Sequence, residues 1–172
     1  MNITTKIILT DTNIITDLNH ANILEDFINL DNVYISDMVK NKEINEKTGN
    51  VKLINKFKVI EASSLELMRV SNLSKTEKKL STCDLLNYVI AKDNNCIFAT
   101  GDNRLKIYSE KNGVLVYRTL KIIKLMKEKN VISHRKAIEA CYLLKENVNT
   151  RIPKNDINNY LDELEKDLVS WH

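Results

Sequence analysis

Five acidic side chains stand where a chain does chemistry. Asp11 follows the apolar run Ile7-Ile8-Leu9 and Thr10, and Asp102 follows Cys96-Ile97-Phe98-Ala99, Thr100 and Gly101. Asp37 and Glu43 come after Val33-Tyr34-Ile35-Ser36, and Asp84 lies in Leu80-Ser81-Thr82-Cys83-Asp84. Carboxylates drawn together from separate parts of a chain repel one another and are costly to bury unpaired, so a divalent cation is the simplest compensation. Oxygen donors without His or Cys nearby favour Mg²⁺ or Mn²⁺ over zinc. Such ions activate water and take up charge on phosphoryl oxygens, and a pair of them can serve attack and departure together. Thr10 and Thr100 each precede an aspartate closely, and their hydroxyls can orient a carboxylate. Ser81 and Asp84 also match the S-x-x-D capping box that opens a helix, a structural role compatible with a chemical one. The fourth acidic place is open between Asp37, directly at its strand end, and Glu43, on a following helix.

The elements that must position these groups alternate. Ile7–Leu9, Val33–Ile35, Phe57–Ile60, Cys96–Ala99 and Val114–Tyr117 are short apolar or β-branched runs separated by segments of helical character, which predicts an α/β fold with a central, mostly parallel sheet buried on both faces. In such a sheet ligands bind beyond the carboxyl ends of the strands, which puts Asp11 and Asp102 on one edge. Segment 12–30 collects Ile14, Ile15, Leu18, Ile23, Leu24, Phe27 and Ile28 on one helical face, and Leu85, Leu86, Val89 and Ile90 do the same later. Leu120–Lys129, His134–Glu146 and Asp156–Leu168 predict three further helices, with Pro153 breaking the chain before the last. We expect one domain over residues 1–150, with an acidic helix over 151–172 as its appendage.

With 172 residues, 43% hydrophobic and 28% charged, three Gly and one Pro, the chain has the composition of a folded globular protein rather than a disordered one. No apolar run is long enough to span a bilayer and the amino terminus lacks the order of a signal peptide, so no membrane association and a cytoplasmic location are expected. Cys83, Cys96 and Cys141 are odd in number and widely spaced, which reads as buried thiols rather than a disulfide or zinc framework. The net charge is only +3, but seven Lys or Arg against one acid lie between Arg118 and Lys136, and five acids against three bases between Arg151 and His172.

Thr10-Asp11-Thr12-Asn13, Leu80-Ser81-Thr82-Cys83-Asp84 and Ala99-Thr100-Gly101-Asp102-Asn103-Arg104-Leu105, in this order, resemble the PIN-domain nucleases, and among these the small prokaryotic type exemplified by VapC toxins. The resemblance runs from about Lys6 to Thr119. It implies an RNase H-like α/β/α sandwich, to which this chain adds carboxy-terminal helices, with an acidic cluster that binds Mg²⁺ or Mn²⁺ and hydrolyses phosphodiester bonds in RNA. Asp11, Asp84 and Asp102 take the metal-binding places and Glu43 fits the remaining acidic one better than Asp37. Asn13, Thr100 and Ser81 support these ligands from behind. A cognate antitoxin and a second copy of the chain are the protein partners that the resemblance implies.

A polyanionic substrate needs positive charge beside an acidic pocket. Arg104, Lys106 and the Lys121-Lys124-Lys127 series are candidates, although the lysines also fit a plain solvated face opposite Ile122, Leu125 and Met126. Tyr88, Tyr108 and Tyr117 are candidates for base stacking or for capping the core. His20, His134 and His172 lie outside the three motifs. Two rivals follow from the same residues. One is a PIN-like RNA-binding or protein-interaction module with an incomplete acidic site. The other is a haloacid-dehalogenase-like phosphatase, which needs an aspartate where Asn13 stands.

Overall fold

The computed structural model of the chain describes residues 6–30, 32–43 and 51–169. Five short strands, β1 (Ile8–Thr10), β2 (Val33–Ser36), β3 (Lys58–Ile60), β4 (Ile97–Ala99) and β5 (Leu115–Tyr117), form one all-parallel sheet in the order β3-β2-β1-β4-β5. The direction of winding reverses between β1 and β4. The crevice beyond their carboxyl ends is where an open α/β sheet receives ligands.

The nine α-helices among the described residues are α1 (Thr12–His20), α2 (Leu24–Ile28), α3 (Val51–Ile54), α4 (Ser64–Thr76), α5 (Thr82–Asp93), α6 (Asn103–Lys111), α7 (Thr119–Glu128), α8 (His134–Glu146) and α9 (Lys154–Val169). A π-helical turn, Val39–Glu43, follows β2. Strand side chains alternate between two cores, as period-2 geometry requires. Ile8, Ile35, Ile97 and Tyr117 meet α1, α2, α7, α8 and α9 on one face. Leu9, Phe98 and Val116 meet α4, α5 and α6 on the other.

The amphipathic run over 12–30 is two helices rather than one. Ala21 closes α1 and Asn22 adopts φ 55°, so that the Ile23 N–H reaches back to the Leu18 carbonyl at 3.0 Å. The same left-handed stop recurs with Asn95 after α5, Gly113 after α6 and Asn130 after α7. In each, the next residue's N–H bonds a carbonyl in the last helical turn: Cys96 to Ala91 at 2.8 Å, Val114 to Ser109 at 3.0 Å and Val131 to Met126 at 2.9 Å. Asn tolerates this conformation better than most residues, which lets a chain with three glycines end its helices cleanly.

The last helix is bound into the main core. Ile157, Tyr160, Leu161 and Leu164 recur at helical spacing and are buried in the same cluster as α1 and α8. Full burial of each aliphatic side chain stabilises by about 1.5–3 kcal/mol. Across this contact His134 Nε2 lies 2.7 Å from the Leu164 carbonyl. The acids of α9 also meet the bases of α7, with Lys127 3.1 Å from Asp167 and Lys124 4.0 Å from Glu163. The basic run is therefore partly neutralised within the fold. All three cysteines are free and buried, and burial pushes the Cys96 and Cys141 thiols up to about 11 and about 12. Among the described residues, no helix is long and apolar enough to cross a membrane.

Candidate active site

The strand register lays out the site. Thr10 pairs with Ala99, and Ala99 with Tyr117, so one step further on Asp11, Thr100 and Arg118 stand side by side on three adjacent strand ends. The same register on the other side brings Ser36 level with Asp11, because Leu9 pairs with Tyr34. Backbone bonds hold this row: Asp11 N–H to the Ala99 carbonyl at 3.0 Å and Thr100 N–H to the Tyr117 carbonyl at 3.1 Å.

Asp11 is 5% exposed. Its carboxylate caps α1 by accepting from the Ile14 N–H at 3.0 Å, and it also accepts from the Thr100 hydroxyl and the Asn13 side chain. Burial nevertheless pushes its pKa up from 3.8 to about 7, and the nearby Asp84 carboxylate adds to the rise. Thr100 is buried and does two things at once, since its hydroxyl oxygen also accepts from the Asp102 N–H at 3.1 Å.

Asp84 opens α5 in the expected capping box. The Ser81 N–H donates to Asp84 Oδ2 at 2.8 Å and the Asp84 N–H to the Ser81 hydroxyl at 3.1 Å. One turn later Asn87 is buried, and the Ser36 hydroxyl donates to its Oδ1 at 2.7 Å, which ties α5 to the end of β2. Gly101 leaves room for α1: a Cβ there would lie 3.0 Å from Asn13 Cβ.

These residues open onto a cleft of about 500 Å³. Asp11, Asn13, Ser81, Asp84 and Asn87 line one end, and Thr16, Asp17, Gly101, Arg118, Thr119, Asn149 and Arg151 belong to the same cleft. Asp17 accepts a hydrogen bond from the Thr119 hydroxyl at 2.6 Å. Burial raises its pKa, whereas Thr119, His20, Arg118 and Arg151 pull it down. Arg118 Nη2 donates to the Gly101 carbonyl at 3.1 Å, which fixes the guanidinium beside the loop after β4. Arg151 is exposed and arrives from the loop between α8 and α9.

A family model described as PIN domain (DUF3368) matches residues 7–166. The chain belongs to the PIN-domain family. No curated protein and no solved structure matches it. PIN domains are typically nucleases and commonly bind Mg²⁺.

Within this PIN domain the sequence-derived residues fall into three groups. Asp11, Asp84, Asn13, Thr100 and Ser81 are brought together at one end of the cleft. Asp102 stands on the rim. It is half-buried, and its Oδ1 caps α6 by accepting from the Leu105 N–H at 2.8 Å, while the cleft is lined by its neighbour Gly101. Asp37 is half-buried at the end of β2, with a carboxylate oxygen that has no hydrogen-bond partner among the described residues. The backbone of Glu43 closes the π-helical turn, and its side chain lies outside the described residues. Among the described residues, no three His, Cys, Asp or Glu side chains are grouped tightly enough to hold a metal ion.

The basic candidates lie off the cleft. Arg104 is exposed on α6, Lys106 pairs with Glu110 at 3.4 Å, and Lys121 sits 4.1 Å from the centre of the Tyr117 ring. Tyr88 and Tyr108 pack edge to face, their centroids 4.8 Å apart.

Sequence reasoning missed Asp17, Arg118 and Arg151. The signal for Asp17 was present: Asn13, Thr16, Asp17 and His20 form a polar stripe at helical spacing opposite Ile14, Ile15 and Leu18. Arg118 follows β5 just as Asp11 follows β1. Arg151 carries no local signal.

The donors at the acidic end fit a hard divalent cation. Asp11 is desolvated and has another carboxylate for a neighbour, so a positive charge beside it would favour its ionised form. Asp84 uses Oδ2 for its cap, which leaves Oδ1 for the cleft.

Proposed function

We propose that this PIN domain is a metal-dependent endoribonuclease. The observation that carries the reading is a buried Asp11 beside Asp84 at the carboxyl edge of the sheet, in a cleft that also holds two arginines. Asp11 and Asp84 would hold Mg²⁺ or Mn²⁺; Asp102, which stands on the rim, and Glu43 as the fourth acid are added to them on the resemblance. The ion supplies a Lewis acid for the scissile phosphate and an activated water.

The chain's own residues do the rest. Thr100 and Asn13 fix the Asp11 carboxylate in one orientation, and the Ser81 cap does so for Asp84, so little reorganisation is left for the reaction. Among the described residues no histidine touches Asp11 or Asp84, so proton transfer falls to the carboxylates and solvent. We further propose RNA as the substrate, a toxin role with a cognate antitoxin and a homodimer, which rest on the resemblance, and the acidic final helix as part of the same domain, which rests on its packing into the main core.

The test is cleavage of a pool of structured and single-stranded RNAs with Mg²⁺, Mn²⁺ or EDTA. The wild type should cut only with metal. Asp11→Asn should cut at least about a thousandfold more slowly, the scale on which removal of a key electrostatic group acts. Cutting of equal rate by both proteins would reject the reading.

A second reading is a binding module with an incomplete acidic site. It is favoured by one observation, that among the described residues no three acidic side chains are grouped tightly enough to hold an ion. Binding of RNA without any metal-dependent cleavage would select it.

A further inference from the structure

The arginine end of the cleft has a chemistry of its own. Arg118 and Arg151 both lie close enough to influence Asp17, so two guanidiniums share one carboxylate. Among the described residues, neither arginine makes an ion pair of the kind that neutralises Lys106, Lys124 and Lys127.

The Arg118 guanidinium is held in place rather than left to wave in solvent. Arg118 leaves β5 directly and is bonded to the Gly101 carbonyl. The loop carrying Arg151 is pinned by its own side chains, with Asn147 Oδ1 accepting from the Asn149 N–H at 3.0 Å and the Thr150 hydroxyl from the Ile152 N–H at 3.3 Å. Ile152 then packs on the main core. Asp17, fixed by Thr119, lies near both and offsets their charge.

We infer that Arg118 and Arg151 form a phosphate subsite that grips the backbone phosphate next to the scissile one in a single nucleic-acid strand. A guanidinium presents a planar fork of donors that matches phosphate oxygens, and a fixed fork loses little freedom on binding. With the carboxylates and the arginines lining a single cleft, a strand lying in it meets both a cation-seeking site and an anion-seeking site. The subsite deepens the nuclease reading, and it assigns a task to the region beyond Thr119. The loop before α9 delivers Arg151.

The test separates this inference from the nuclease reading. Cleavage is measured in the wild type. Binding of a fluorescein-labelled single-stranded RNA decamer, and of the DNA of the same sequence, is measured by anisotropy in the Asp11→Asn protein with Mg²⁺ over a range of salt. Arg118→Gln and Arg151→Gln, each added to Asp11→Asn, should weaken binding by about tenfold. Each should also flatten the plot of log affinity against log salt by about 0.7 for every phosphate that is no longer neutralised. Arg151→Lys should recover part of the affinity, because it keeps the charge and loses the fork.

Arg151 is exposed, so its substitution leaves the fold intact even if Arg118→Gln disturbs the Gly101 loop. Unchanged affinity and salt slope in both arginine variants, while the wild type still cuts, would overturn the subsite and leave the nuclease standing. Arginine-dependent binding without cleavage would uphold the subsite and remove the nuclease. No binding of either oligonucleotide would overturn the subsite, and wild-type cleavage would decide the nuclease reading on its own.

Discussion

Asp11 and Asp17 lie on the same cleft, and each accepts a hydrogen bond from a threonine at a distant strand end, Thr100 in one case and Thr119 in the other. Both carboxylates are raised by burial. Their neighbours differ in sign. Asp84 makes the position of Asp11 worse, while Arg118, Arg151 and His20 relieve that of Asp17. One end of the cleft is short of a positive charge that the chain does not provide, and the other is supplied from within. The comparison teaches that a buried carboxylate becomes a candidate ligand through what its neighbours fail to give it, rather than through burial alone.

The largest effect expected from this difference is on stability against pH in EDTA. The folded pKa of Asp11, about 7, lies above its ordinary 3.8, so between those values the native state holds a proton that the unfolded chain has released. The contribution of Asp11 is therefore most favourable below about pH 4, declines as pH rises through about 7, and is flat above. Denaturant titrations should show the wild type losing stability relative to Asp11→Asn as pH rises from about 4 to about 8, by on the order of 4 kcal/mol at most. A gap that does not change with pH would break the contrast at its acidic end.

Metal should act on one end only. At a concentration about a hundredfold above its dissociation constant, Mg²⁺ stabilises a protein by about 2.7 kcal/mol, which is roughly 5–10 °C in Tm for a chain of this size. Asp11→Asn should abolish that shift and Asp17→Asn should keep it. Equal shifts in wild type and Asp11→Asn would place the ion elsewhere.

Much of this contrast was legible in the sequence and some of it was not. The five strands, the Ser81–Asp84 box and the placing of Asp11 at the carboxyl edge follow from local patterns: apolar runs, a capping motif and a strand end. The break at Asn22 was hidden because the apolar spacing continues across it, and spacing does not report φ. Asp17 was overlooked because a polar stripe on an amphipathic helix reads as solvated until another element covers it, which Thr119 and Arg118 do here. Arg151 was invisible because its relation to the cleft is set entirely by how α8 and α9 pack. The rim position of Asp102 likewise depends on whether its carboxylate turns to its own helix, which spacing leaves open.

The smallest effect concerns the wall between the two ends. A Cβ on Gly101 would press on Asn13 at 3.0 Å, so Gly101→Ala should cost about 1–3 kcal/mol through crowding and reduce the Mg²⁺-induced shift in Tm. Thermal melts with and without Mg²⁺ check both. An unaltered shift would mean that Asn13 has no part in holding Asp11.

The threonine that steadies Asp11 lies 89 residues further along the chain, and the one that steadies Asp17 lies 102 residues on. During synthesis the two aspartates leave the ribosome early, with neither of their partners yet made. Contacts of such separation are also the slow ones to form. A growing chain of this protein therefore carries both aspartates without their threonine partners, and completes the cleft only once the later strands have joined the sheet.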